Sequence, residues 1–138
     1  DSYVKDVFNI GAVMAPSAVD TFLRHLEATK TKPDDYDLIL TGDLGDVGAK
    51  IFTELLNKKS IKLKNYIDAG TLIYHNEEYS GASGPVVLPL VFFNNIVYNK
   101  KYKKILLLAT GSLHSPVLVN QKNTIPAITH ALTIEVVR

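Results

Sequence analysis

Pro33-Asp34-Asp35-Tyr36-Asp37-Leu38-Ile39-Leu40-Thr41-Gly42-Asp43-Leu44-Gly45-Asp46-Val47-Gly48 sets a turn, an apolar run and a glycine-punctuated loop in succession. Proline cannot continue a helix and the paired aspartates favour turn conformations, so residues 32–35 end whatever precedes them. Residues 36–41 read as a strand. Leu38, Ile39 and Leu40 follow one another without polar alternation, as in strands covered on both faces. Gly42 stops the strand, and the loop leads into a helix expected over residues 48–58. There Ile51, Phe52, Leu55 and Leu56 share one face, and the lysine-rich end suits the negative pole of the helix dipole. A strand passing through glycines into a helix is the repeating unit of α/β folds.

Working outward, residues 15–30 place Ala15, Ala18, Val19, Phe22, Leu23 and Leu26 at three- and four-residue steps, the stripe of an amphipathic helix with Pro16 in its first turn. Downstream, residues 65–74 read as a further strand, followed by the polar turn His75-Asn76-Glu77-Glu78. The link Ser80-Gly81-Ala82-Ser83-Gly84 then opens a helix over residues 85–98 that is apolar nearly all round, hence buried on more than one side. Residues 103–110 carry the Ile105-Leu106-Leu107-Leu108-Ala109 run of a central strand, ended by Gly111-Ser112. Residues 127–137 alternate as a last strand. The order is helix, strand, helix, strand, helix, strand, strand. It predicts a single α/β domain over residues 1–138, a mixed sheet with helices on both faces and a site where the C-terminal strand ends meet.

Composition narrows the function classes. With 15 Lys and Arg against 14 Asp and Glu, the net charge of +1 provides no broad field for nucleic acid or an anionic membrane. The absence of cysteine removes disulfides, thiolate metal sites and a cysteine nucleophile from this polypeptide. The most apolar stretch, residues 85–93, is about half the ~20 residues that cross a bilayer and holds two prolines, so no transmembrane segment is expected. The first residues, Asp1-Ser2-Tyr3-Val4-Lys5-Asp6, show neither the basic start nor the apolar run of a signal peptide.

The loop from Gly42 to Gly48 stands where an α/β sheet builds its site, and two readings of it stay open. Asp43 faces a pocket as an acceptor or cation ligand, with the glycines admitting a ligand; or Asp43 or Asp46 caps the helix and the glycines make the turn. It is no phosphate loop, because Ala49-Lys50-Ile51 stands where Lys followed by Ser or Thr is required. Ser80 to Gly84 likewise either presents N–H groups to an anion at a helix start or lets the chain turn tightly. His25, His75, His114 and His130 include no pair at the four-residue helical spacing of a zinc site. His25 and His75 read as solvated and His130 as structural, while His114 lies in a loop beyond a strand, where a site role is conceivable. The lysine groups at 58–64 and 100–104 read as solvated surface.

Met14-Ala15-Pro16, the long run from Pro33 to Leu44, Asp68-Ala69-Gly70, Ser83-Gly84 and residues 105–116 with Ala109-Thr110-Gly111 together resemble the stage V sporulation protein AD family, over nearly the whole chain. Alanine stands at position 69 where relatives are expected to carry cysteine. Members of that family are about twice this long and belong to the thiolase superfamily, so the chain looks like their C-terminal half. The resemblance implies a thiolase-like fold: two similar halves, each with a five-stranded sheet, and central helices packed together. The present elements fit one half lacking its first strand, for which residues 4–10 would supply a remnant.

The resemblance also bears on chemistry. Type III ketoacyl synthases of that superfamily combine a first-half cysteine with a second-half histidine and asparagine that stabilise the oxyanion. Aligned by strand and loop, the histidine position falls at Asp43 and the asparagine position near Ala82. A carboxylate repels an oxyanion and a methyl group donates no hydrogen bond, so condensation is expected to be lost and no catalytic residue is assigned. What the resemblance implies instead is a non-enzymatic sporulation protein, a pseudoenzyme binding dipicolinic acid, with calcium accompanying that ligand. It would serve uptake into the developing spore and release in germination. Asp43, Asp68, Ser83, Gly84, Gly111 and Ser112 are the expected ligand-binding residues. No other cofactor or protein-held metal is expected. The implied partners are the other stage V sporulation membrane proteins, at the cytoplasmic face of or peripheral to the spore inner membrane; homo-oligomers are expected and nucleic acid is not. Two alternatives stand beside this: an acyltransferase using a nucleophile from the absent N-terminal half, and a scaffold docking on membrane partners.

Overall fold

The computed structural model describes residues 10–42, 44–74, 101–112 and 127–136. Helix α1 spans Ile10–Thr29, a 3-10 turn Pro33–Asp35, strand β1 Leu38–Thr41, helix α2 Gly45–Lys58, strand β2 Tyr66–Asp68, helix α3 Ala69–Tyr74, strand β3 Lys104–Ser112 and strand β4 Ala127–Glu135. The four strands form one sheet in the order β2-β1-β3-β4. β1 runs parallel to both β2 and β3, whereas β3 and β4 are antiparallel. The domain is therefore α/β with a mixed sheet, as the alternation of elements predicts.

α1 and α2 pack against each other, and their apolar stripes meet one face of the sheet. Ala15, Ala18 and Phe22 of α1, Phe52 and Leu56 of α2, and Ile39, Leu106 and Leu108 of the strands are fully buried together. Phe52 is the centre of this layer. Its ring meets Phe22 edge-on at 6.1 Å and Tyr66 at 4.9 Å, joining both helices to β2 through aromatic contacts. On the opposite face Leu38, Leu40 and Ile105 are equally buried, which explains why β1 shows no alternation.

Several boundaries differ from the sequence reading, each for a local reason. α1 starts at Ile10 rather than 15, so Pro16 sits inside the helix with its ring exposed. Gly11 permits the early start, because a Cβ there would lie 1.9 Å from the Leu44 carbonyl oxygen and 3.3 Å from Gly48 Cα. Of the proposed strand remnant at residues 4–10, Ile10 is helical and the rest lies outside the described residues. α2 starts at Gly45, three residues early, and residues 69–74 are helical rather than strand. β3 runs on through Gly111 and Ser112, which pair with Ile128 and Ala127 instead of ending the strand. The expected helix over 85–98 lies outside the described residues. Among those described, no helix is long and apolar enough to cross a membrane.

His25 is not the solvated side chain that its helical position suggests. Ser17, Thr21 and His25, one turn apart along α1, face β4: Ser17 Oγ meets Thr129 Oγ1 at 3.0 Å, the Thr21 hydroxyl donates to the Thr129 carbonyl, and His25 Nε2 meets Thr133 Oγ1 at 3.0 Å. The outer edge of the helix–sheet layer is thus a polar seam. His130, read as structural, is exposed on β4.

Candidate functional site at the C-terminal strand ends

Because β1, β2 and β3 are parallel, their C-terminal ends lie side by side, and register puts Thr41 beside Asp68 on one flank and Leu108 on the other. Beyond them the chain turns into the loop that opens α2. The Gly42 N–H donates to the Leu108 carbonyl at 2.9 Å, and the Thr110 hydroxyl donates to the Gly42 carbonyl, so β3 holds the loop at its root. Gly45 has φ +72°, a backbone conformation that L side chains rarely adopt. The N-cap position of α2 is Leu44, whose side chain can make no capping hydrogen bond.

Asp68 takes over that task. Its Oδ1 accepts the Thr41 hydroxyl at 2.6 Å and the Leu44 N–H at 3.0 Å. Its Oδ2 accepts the Gly45 N–H at 3.0 Å and the Thr71 N–H at 3.1 Å. The last of these is an ordinary N-cap bond to the third residue of α3, while the two loop amides belong to the start of α2. One carboxylate therefore caps two helices, where negative charge is favoured by both dipoles. Asp68 is only 3% exposed, and burial pushes its carboxyl above the usual carboxylate range, with the hydrogen bonds from Thr41, Leu44, Thr71 and Gly45 pulling the other way.

Thr41 carries the network outward. Its hydroxyl proton goes to Asp68, so at its 2.6 Å contact with the Tyr66 hydroxyl it accepts, and Tyr66 donates. Burial raises the Tyr66 phenol well above its normal value, which keeps it a donor at any physiological pH. The Thr71 hydroxyl, beside the same carboxylate, is buried without a hydrogen-bond partner among the described residues.

Of the expected ligand-binding residues, Asp68 stands at the centre of this network, and Gly111 and Ser112 close β3 just past Thr110. Asp43, Ser83 and Gly84 lie outside the described residues, as do Ala82 and His114. Thr41, Tyr66 and Thr110 escaped the sequence reading. The available signal was modest: a threonine ending an apolar strand run brings a hydroxyl to the end of the sheet where α/β sites form.

Comparison with known proteins places the chain in a family. The model of stage V sporulation protein AD matches residues 1–135. The chain belongs to the stage V sporulation protein AD family. The stage V sporulation protein AD of Bacillus subtilis (strain 168) is 36% identical over 141 residues, covering 98% of this chain and 42% of the relative. The chain thus spans less than half the length of that relative, and the sheet, the loop opening α2 and Asp68 all fall within the matched region. Family membership supports a role in sporulation.

Proposed function

We propose that this chain is one half of a non-enzymatic sporulation protein that binds dipicolinic acid, accompanied by calcium, in a cleft at the C-terminal strand ends. Uptake into the developing spore and release during germination are the processes it serves. The family match over residues 1–135 is the observation that carries this reading. The convergence of β1, β2 and β3 supports it by supplying a place of the kind where α/β sheets bind ligands. Gly42 and Gly45 carry no side chain at the two ends of the loop, and Thr71 offers a hydroxyl unpartnered among the described residues close by.

Calorimetry on the full-length protein with dipicolinate, with and without calcium, tests the proposal. Heat above dilution that saturates at one ligand per protein is expected; none in either titration sinks it. Acyl transfer from acyl-CoA, abolished by changing a cysteine of the N-terminal half, would establish the acyltransferase in its place. Co-flotation with the membrane partners that survives substitutions at the strand ends would establish a docking scaffold.

A further inference from the structure

We propose that Asp68 is a positioning residue rather than a ligand contact: its carboxylate locks the β1–α2 loop and the start of α3 into one wall of the cleft. This rests on the reading of the strand ends as a binding site. The four bonds to Asp68 come from three separate pieces of chain: Thr41 at the end of β1, Leu44 and Gly45 opening α2, and Thr71 in the first turn of α3. Each oxygen already accepts two bonds, so neither turns a free face to a ligand. A buried carboxylate would also repel a dicarboxylate ligand in direct contact, so the charge of Asp68 suits a role one step behind the ligand. Among the described residues of the loop, Leu44 offers no side-chain cap and Gly45 sits in the left-handed region. From the other side α1 confines it, with Gly11 against the Leu44 carbonyl.

The isosteric variant Asp68→Asn isolates this role in the full-length protein. Whichever way the amide turns, its NH2 replaces an oxygen that two donors need. Amide exchange at Leu44, Gly45 and Thr71 is expected to quicken by at least about tenfold, while Leu106 and Leu108 in β3 keep their rates. Dipicolinate affinity, measured where both proteins are fully folded, is expected to fall by at least about tenfold. Lost affinity with unchanged exchange at the three amides would make Asp68 a direct contact and overturn the proposal. So would quickened exchange with undiminished affinity, because the loop would then not shape the site. No dipicolinate heat from the unaltered protein sinks the binding reading itself, and the exchange measurement still decides whether the carboxylate locks the loop.

Should Asp68→Asn fail to fold, the unaltered protein supplies a second readout. The amide proton shifts of Leu44, Gly45 and Thr71 should follow one common titration, that of Asp68, with the loop carboxylates removed by Asp43→Asn and Asp46→Asn as a control. Among the described residues, Tyr66 is the other titratable group of this network, and it titrates too high to interfere. Different midpoints for the three amides overturn the proposal.

Discussion

At the scale of single residues, Asp68 carries opposing electrostatic effects, and their balance is measurable. Desolvation raises its pKa in the folded chain above the unfolded value near 3.8, so the native state binds this proton more tightly than the unfolded state does. The contribution to stability is fully present below the unfolded pKa and is lost as pH rises through the folded one. Asparagine at this position does not titrate. The stability of the unaltered chain relative to Asp68→Asn should therefore decline as pH is raised from about 4 to about 7, read as urea midpoints at each pH. Parallel midpoints across that range would show that the four donors cancel the desolvation. Asp37 works in the opposite sense: its carboxylate accepts the Lys104 and Lys103 N–H groups at the start of β3, which hold its pKa low. The stabilisation from Asp37 is present above the unfolded pKa and fades as pH falls through the folded one.

At the scale of elements, two contacts hold α1 in place, one made by missing atoms and one by polar ones. At the crossing of α1 and α2, a Cβ on Gly48 would stand 2.7 Å from the Gly11 carbonyl oxygen and 2.9 Å from Gly11 Cα. Gly48→Ala improves helix propensity by about 1 kcal/mol, but the clash is with backbone, and such overpacking costs about 1–3 kcal/mol. A net loss of about 1 kcal/mol in chemical denaturation is expected; a more stable variant would show that the helices can separate cheaply. Along the seam with β4, Thr133→Val removes the partner of His25 Nε2 while preserving shape. It should cost about 1 kcal/mol, the usual net value of a hydrogen bond whose loss strands a half-buried group. A thermal midpoint unmoved by Thr133→Val would mean that His25 finds water instead. The helical span Ala69–Tyr74 belongs to this scale as well. Thr71 and Tyr74 favour strands, which is why residues 65–74 read as one, yet the N-cap bond from Asp68 turns the chain into a helix at Ala69.

At the scale of the whole molecule, the sheet order β2-β1-β3-β4 places the antiparallel strand at one edge and the parallel strand ends together. The family relative is more than twice as long as this chain, and the sequence of residues 85–98 is predominantly apolar. As a separate 138-residue polypeptide, the chain is expected to self-associate, as apolar sequence without its partner half does. Sedimentation equilibrium at micromolar concentration should show a dimer or larger species, and a monomer throughout would contradict this.

The α/β class was legible from sequence alone, because the periodicities of residues 15–30 and 48–58 and the unbroken apolar runs at 38–40 and 105–109 each report burial that only layered packing supplies. The family resemblance was equally legible, since it rests on residue identities rather than on geometry. The tasks of individual polar groups were not. Asp68 could be picked out beside the strand ends, but the groups that define its role, Thr41 and the Leu44 amide, lie 27 and 24 residues away, and His25 meets Thr133 across 108. A hydrogen bond depends on distances of a few tenths of an ångström between segments joined only by the sheet. No local pattern encodes those distances, so the register of the strands and the crossing of the two helices decided which groups meet.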